Sequence, residues 1–592
     1  MLDLNKLRSI DPKILCIGSY PPIIQSILDF DHLTGRPEPS VTAVIGGRKK
    51  SERFFWGKGE ILIPHYQHVS KLPEEFSKKL NLFLNVTSGR RVYDTTKLTL
   101  DFLPGILGGV IFAEDTPEMH ALALFAEAEK RKKFIIGPAS VGILVPGYLK
   151  LGAIGGIRPE QIASPTIINK GTTAVFSASG GMVNELINIL VRNNIGISFA
   201  LSFGGERFPI LRPRDAFLAA ENDPQTKDII YFGEIGGYDE YEIADLINSK
   251  KIKKTVIAYI AGSVSEMFDD APQFGHAKAL VKYQKESARE KSFILKNAGV
   301  NVCNSFREFV NLLENLKPMA INTNIDLKGL NNRKKSLFTS SISEETDNDV
   351  KINGESLLDL SKGHTFSYIV CAVLLGKKKI SPELEKFTDL VFKLMIDHGP
   401  QVSGAVNTII SARAGKDMAS SLAAGILTVG NRFGGAINSA SENWLKGVGS
   451  DIKPSTFVEE FASRGEYIEG IGHKKYSLNN PDPRVQELIR FAEGLKKMRY
   501  LNFAREVEKI TSNKKSNLIL NADGAIAAVL LDILAEKENF ATDNLEELIE
   551  IEFFNAYFLL PRSIGFVGHY LDQKRLDEGL FRLPKEDILY LK

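Results

Sequence analysis

The feature that most constrains this chain is a change of period along its length. Up to about residue 306, short apolar runs alternate with stretches whose apolar residues recur every three or four positions; beyond residue 357 only the second pattern survives. Short runs bounded by turn residues read as buried strands, and the longer periodic stretches read as amphipathic helices. Their alternation argues for parallel, doubly wound sheets, and its loss argues for a mainly helical last third. Strand candidates are 13–18, 41–45, 82–86, 109–113 and 133–136, then 172–176, 196–203, 228–232 and 255–260. After the first of these, Ile23, Ile24, Ile27 and Leu28 share one helical face. Helices are expected over 383–396, 418–428, 484–498 and 524–536. The Gly- and Pro-rich stretch 137–156 reads as a loop or boundary, and the polar, Ser/Asn-rich stretch 318–356 reads as a linker with some exposed structure. These breaks divide the chain into 1–165, 166–315, a linker at 316–356, and 357–592. No internal repeat and no low-complexity tract is present.

Bulk properties narrow the function classes. At roughly 100–200 residues per domain, 592 residues imply three or four domains. Lys plus Arg (74) nearly balances Asp plus Glu (72), so no global field marks a nucleic-acid or membrane-surface binder. Any anionic ligand must be held locally. Cys16, Cys303 and Cys371 are odd in number, far apart and without CxxC spacing. That pattern speaks against a disulfide framework or a metal site and fits a reducing cytoplasm. The first residues lack an apolar secretory core, and no apolar run reaches the ~18 residues of a membrane span.

Three motifs in the α/β part place reactive groups beside glycine. Ser179-Gly180-Gly181 follows the strand at 172–176 and opens a helix, where free backbone N–H groups and the helix dipole favour an anion. A glycine-bearing turn also serves plain geometry. Glu234, in Gly233-Glu234-Ile235-Gly236-Gly237, stands at the carboxyl end of a strand, where doubly wound sheets bind ligands. It could equally be a helix-start acid, as Glu240 is read to be. His276, in Gln273-Phe274-Gly275-His276-Ala277, lies in a loop; an imidazole is a competent nucleophile toward phosphorus when a carboxylate orients its other nitrogen. A lone histidine is more often only a polar surface or core residue.

Read together, SASGGMVNE, GEIGG and QFGHA resemble, in this order, the alpha subunit of succinyl-CoA synthetase and its relatives. GPASVGILVPGYLKLGAIGG looks like that family's phosphate-side loop. Segments such as LDFDHLTGRPEPSV and FFWGKGEILIP are closer still to the ATP-citrate lyase family. The resemblance implies that His276 is a phosphorylated histidine, that Glu234 orients it, and that Ser179, Gly180 and Gly181 form a helix end facing the phosphate. It also implies a CoA-binding Rossmann-like domain over 1–165 and a flavodoxin-like ligase domain over 166–315. Ser88 and Arg90 match positions near CoA in the lyase family. The chain departs from the pattern in two places. Gly18-Ser19-Tyr20-Pro21-Pro22 lacks a glycine-rich turn, and Ala178 stands where relatives often have Arg. The basic run Arg48-Lys49-Lys50 could meet CoA phosphates or simply be solvated.

Four islands mark the helical third: Asp397-His398-Gly399-Pro400; Gly472-His473-Lys474-Lys475 with Asn480 to Arg484; Asn521-Ala522-Asp523-Gly524; and Arg562 to His569. Each sets titratable groups beside Gly or Pro or at a helix end. Taken singly, each is explained by capping or packing. As a set, two His, one Asp and several Arg suit a substrate with several carboxylates and a C–C bond cleaved with proton transfer. The islands resemble citrate synthase in chain order and the citryl-CoA lyase domain of ATP-citrate lyase more closely, through SGAVNTIISARAGKD, NRFGGA and GHYLDQKRL. Phe433 stands before Gly434-Gly435-Ala436, where citrate synthase has a catalytic His, and Val406 stands where some lyases carry His.

By that resemblance the last third is a citrate-synthase-like lyase domain. His473 takes the citryl hydroxyl proton and Asp523 protonates the acetyl-CoA enolate. His398, Arg484 and Arg562 hold substrate carboxylates, and Arg582 reaches a neighbouring subunit's site. The implied reaction takes ATP, citrate and CoA to ADP, phosphate, acetyl-CoA and oxaloacetate. An ATP-grasp partner subunit is expected to bring ATP and Mg²⁺, and the helical domain is expected to self-associate, with a tetrameric core. Two other readings stand beside this one. One is a condensing enzyme with a vestigial ligase half, which the residue before Gly434 opposes. The other is a non-catalytic scaffold, which intact His276, Glu234, His473, Asp523 and Arg484 oppose.

Overall fold

The computed structural model describes residues 2–47, 49–268, 273, 275–320, 328–430 and 434–591. Arg48, Phe274 and Phe433 lie outside the described residues. The chain divides into two compact units, Met1–Leu337 and Phe338–Lys592.

The first unit holds two seven-stranded sheets. The first contains β1 (Ile14–Ile17), β2 (Val41–Ile45), β3 (Ser51–Trp56), β4 (Gly59–Tyr66), β5 (Leu82–Asn85), β6 (Gly108–Ile111) and β7 (Phe134–Ile136), in the order β3-β4-β2-β1-β5-β6-β7. All neighbours are parallel except β3, which runs antiparallel to β4. Every residue of β1, β5 and β6 is buried, which is why these strands read as unbroken apolar runs. The strand order reverses at β1, so a crevice opens outside the carboxyl ends of β1, β2 and β5.

The second sheet contains β8 (Gly142–Val145), β9 (Leu149–Gly152), β10 (Thr173–Ser177), β11 (Ile197–Ser202), β12 (Asp228–Glu234), β13 (Thr255–Ala261) and β14 (Asn301–Val302), ordered β14-β13-β12-β10-β11-β8-β9. It corrects the reading of 137–156 as a loop: β8 and β9 pair as an antiparallel hairpin, and β8 continues the sheet from β11. The glycines there serve close backbone approach. A Cβ on Gly142 would stand 1.9 Å from the Leu151 carbonyl oxygen, and one on Gly152 would stand 2.2 Å from that of Val141. This sheet reverses at β10, which sets Ser177–Ser179 at its own switch point.

The stretch expected as a linker is also structured. Arg333 donates to both oxygens of the buried Asp29 at 3.1 and 2.6 Å and stacks on Phe55. A small antiparallel sheet, β15 (Ser343–Glu345), β16 (Val350–Ile352) and β17 (Glu355–Ser356), opens the second unit.

The rest of the second unit is helical. Its centre is the helix Ala522–Glu536, whose residues are buried on all sides from Gly524 to Leu534. An all-round apolar helix is the expected core element of a helical domain. The helix expected over 484–498 ends early: Pro483–Ala492 is helical, a non-helical segment holding Gly494 follows, and the next helix, Arg499–Lys514, begins only beyond the expected end. Among the described residues, no helix is long and apolar enough to cross a membrane.

Candidate functional site

In the first unit, the carboxyl edge of the second sheet brings three expected elements to one side. The helix Gly180–Arg192 follows β10; Ser179 caps it, its side chain accepting from the Met182 N–H at 3.3 Å. Glu234 ends β12, beside β10 in the sheet. His276 Nδ1 lies 2.8 Å from Glu234 Oε2. A carboxylate only accepts, so Nδ1 carries the proton and the neutral ring leaves its Nε2 lone pair free. The Glu234 contact raises the His276 pKa above its ordinary value, and partial burial opposes that shift. The ring rests on Gly205, just past β11: a Cβ there would stand 2.5 Å from His276 Cδ2. Glycine is what lets the imidazole lie against that backbone.

The glycines of the Glu234 loop act likewise. Gly236 has φ +84°, and a Cβ on it would stand 1.9 Å from the Lys278 carbonyl oxygen. The histidine loop therefore seats directly on the carboxylate loop. Lys278 pairs with Asp239, and burial holds its pKa down at about 8. Glu240 stands, as expected, in the first turn of the helix Asp239–Asn248, and it is also buried and paired with Lys291 at 2.6 Å.

In the first sheet, a cavity of about 560 Å³ occupies the crevice at the switch point; Gly18, Gly46, Gly47, Thr87 and Arg91 are among its lining residues. Ser88 and Arg90, expected near CoA, do not line it. Both are exposed on the turn after β5, and Thr87 and Arg91 face the cavity instead. Ser19 donates to Glu52 at 2.7 Å, as does Lys49 at 2.8 Å, so the turn after β1 is closed by side chains where glycine is lacking.

In the second unit, all four islands line one cavity of about 750 Å³. His398, His473, Arg484, Asp523 and Arg562 all face it, along with Gln401, Lys474, Lys475 and Tyr476. Asn521 caps the central helix by accepting from the Gly524 N–H at 3.0 Å, which sets Asp523 in its first turn. The His473 loop is stitched to the same end. Gly472 donates to the Ile519 carbonyl at 2.7 Å, and His473 donates to that of Asn517 at 2.9 Å. A Cβ on Gly470 would stand 2.9 Å from Gly524 Cα, so glycine at both positions permits this approach. Asp482, almost fully buried, grips Arg484 through both carboxylate oxygens, at 2.7 and 3.1 Å. Pro561 stands inside the helix Ala556–Leu576 immediately before Arg562.

Electrostatics divides this cavity sharply. Burial raises the Asp523 pKa to about 6, against the pull of Arg484 and Arg562. At pH 7 such a carboxyl is protonated in roughly one molecule in ten, against roughly one in a thousand for an ordinary aspartate. Burial, then Arg484 and Arg562, lowers the His398 pKa, and burial lowers that of His473. His473 Nδ1 accepts the backbone N–H groups of Lys475 and Tyr476 at 3.0 and 3.1 Å. His398 Nδ1 accepts from Arg484 Nη1 at 3.1 Å, since a guanidinium only donates. Both neutral rings therefore carry their proton on Nε2. In this tautomer the free edge of His473 offers an N–H to the cavity. Arg562 is 2% exposed, and its Nε and Nη1 have no partner among the described residues; its face lies over Phe558. Arg582 is exposed and does not line the cavity. Val406 is half-exposed on a helix, and Phe433 lies outside the described residues.

Sequence reasoning missed Gln401, Lys474, Lys475 and Tyr476 as lining residues, although the lysines sit inside a quoted island. It also missed Lys291, which no local pattern marks.

With this geometry in place, comparisons with known proteins add independent findings. The family described as "Citrate synthase, C-terminal domain" matches residues 236–583. A probable ATP-citrate synthase subunit 1 of Neurospora crassa is 36% identical over 97% of this chain and 88% of its own length. The ATP-citrate synthase of Homo sapiens is 37% identical over 98% of this chain, which spans only 54% of that relative. Among solved structures, the ATP citrate lyase of Methanothrix soehngenii in complex with citrate and coenzyme A is similar at 34% identity and a TM-score of 0.51, covering 98% of this chain and 97% of that one.

Proposed function

The chain belongs to the ATP-citrate synthase family of enzymes, and we propose that it carries out two steps of ATP-dependent citrate cleavage: formation and cleavage of citryl-CoA. The observation that carries this reading is the buried Arg562, whose Nε and Nη1 have no hydrogen-bond partner among the described residues, in a cavity walled by donors. An ionised group left unpaired in the interior costs several kcal/mol. A carboxylate ligand removes that cost. Arg484, the Nε2–H groups of His398 and His473, and the neighbouring lysines add donors for further carboxylates, so a tricarboxylate such as citrate fits the wall.

In the cleavage step, the citryl hydroxyl gives up its proton to solvent. The resulting alkoxide is held by donors, among them the His473 N–H, which favour charge developing on oxygen. The C–C bond then breaks, the oxygen becomes the oxaloacetate carbonyl, and the electron pair moves to the methylene carbon as the acetyl-CoA enolate. Asp523, whose protonated fraction burial raises about a hundredfold over an ordinary aspartate, donates its proton to that carbon and is recharged from solvent.

In the first unit, the free Nε2 of His276 is the phosphoryl acceptor, Glu234 steadies the ring, and the helix end at Ser179, Gly180 and Gly181 faces the phosphate. The crevice of the first sheet is the CoA site. ATP and Mg²⁺ come with a separate ATP-grasp subunit, consistent with relatives that are a "subunit 1". Self-association runs through the helical unit, with Arg582 offered to a neighbouring copy. The compartment is the cytoplasm, in keeping with three free, buried cysteines.

The test is to supply citryl-CoA to the purified chain and measure oxaloacetate. The wild type should cleave it without ATP, and Arg562→Met should not. Equal cleavage by both would remove the basis of this reading.

A further inference from the structure

Lys291 is fully buried in the middle of the helix Ala288–Asn297, and its ammonium has three acceptors in reach. It donates to the carbonyl of Glu234 at 2.9 Å and to that of Gly236 at 2.6 Å, and it pairs with Glu240 at 2.6 Å. Two of the three N–H groups of the ammonium are thus given to carbonyls, and Glu240 stands beside it as the ion-pair partner. Glu240 is itself anchored by the Tyr231 hydroxyl at 2.8 Å. Two of the three contacts therefore go to the main chain of one short loop, on either side of Ile235. Glu234 is the residue whose carboxylate stands on His276. The other end of that loop is the seat on which the Lys278 carbonyl rests.

We propose that Lys291 is a positioning residue for His276: by gripping the Glu234 and Gly236 carbonyls from beneath, it fixes the loop so that the Glu234 carboxylate meets Nδ1. Without it, two buried carbonyls lose their donor, and a loop with glycine at 236 and 237 has little of its own to hold that shape. The functional weight of this role rests on His276 being the phosphoryl acceptor, but the placement of Glu234 is testable without phosphate.

The readout is the pH dependence of His276 modification by diethyl pyrocarbonate in the full chain, followed by peptide mass spectrometry. Only the neutral ring reacts, so the midpoint reports its pKa. Charged groups around the ring are Glu234, with Glu114 and Glu206 further off, and all three raise the midpoint. Glu234→Gln sets the floor. Lys291→Met should bring the midpoint down most of the way to that floor, while the His473 midpoint stays in place. Because Lys291→Met leaves Glu240 buried and unpaired, the double variant Lys291→Met/Glu240→Leu is measured beside it, and the same fall is expected. A wild-type His276 midpoint in either folded variant overturns the proposal. A shifted midpoint in a protein whose wild-type form takes no phosphate at His276 supports Lys291's role and refutes the phosphoryl reading alone.

Discussion

The two units use histidine in opposite ways, and the partner of Nδ1 decides which. In the α/β unit, Nδ1 of His276 faces a carboxylate, so the proton sits on Nδ1, the pKa rises, and Nε2 is a free lone pair. In the helical unit, Nδ1 of His473 accepts two backbone N–H groups and Nδ1 of His398 accepts an arginine N–H; both pKa values fall, and Nε2 is a donor. The first arrangement makes a nucleophile, and the second makes a wall that binds oxygen anions. In the proposed reading the same side chain thus serves group transfer in one unit and charge stabilisation in the other.

The largest expected effects separate the two chemistries. With an ATP-grasp partner and labelled ATP, the chain should acquire an acid-labile, base-stable phosphate. His276→Ala should lose it completely while still cleaving supplied citryl-CoA at the wild-type rate. Label retained in that variant would end the assignment of His276, and lost cleavage would show that the units are not independent.

Next in size is the substrate wall. Replacing Arg562 by Met removes a partner of the substrate's carboxylates and should weaken citrate binding by about 2–5 kcal/mol. It also removes a buried charge whose Nε and Nη1 lack hydrogen-bond partners among the described residues, so the ligand-free variant should be more stable than the wild type by about 1–4 kcal/mol. Calorimetry on both proteins, with and without citrate, checks the pair of signs. Loss of stability in the ligand-free variant would mean that Arg562 has a structural partner.

A smaller effect sharpens the contrast in pH. His276 must be neutral to attack phosphorus, and its pKa is raised above the ordinary value near 6.5. Phosphate incorporation should therefore fall as pH drops through that raised midpoint. Glu234→Gln should move the fall to lower pH. A profile that ignores this substitution would detach Glu234 from the ring.

Much of this was legible in the sequence, for a physical reason. Strands buried on both faces are unbroken apolar runs, so β1, β2, β5, β10 and β11 stand close to where the pattern put them. Helix-end and loop motifs likewise announced Asp523, His473 and His276. What escaped depends on partners distant in the chain. The glycines of 137–156 read as a loop because nothing local says that Leu151 and Val141 lie against them. Lys291 sits among charged neighbours and reads as a solvated face, yet its acceptors lie on a loop and on a helix more than 50 positions earlier. Arg333 reads as part of a linker, and its mate is Asp29. The His473 tautomer is set by the direction of two backbone N–H groups, which no side-chain spacing reveals.

In the proposed reading the helical unit cleaves citryl-CoA and Asp523 is its acid. The most direct measurement is the rate of oxaloacetate release from supplied citryl-CoA between pH 5 and 8, in wild type and Asp523→Asn. In the wild type, the rate should fall as pH rises above about 6, where Asp523 loses its proton. In the variant, the rate should be lower by ~10²–10⁴-fold and lose that fall. Oxaloacetate released by Asp523→Asn at the wild-type rate, with the same pH profile, would contradict the account.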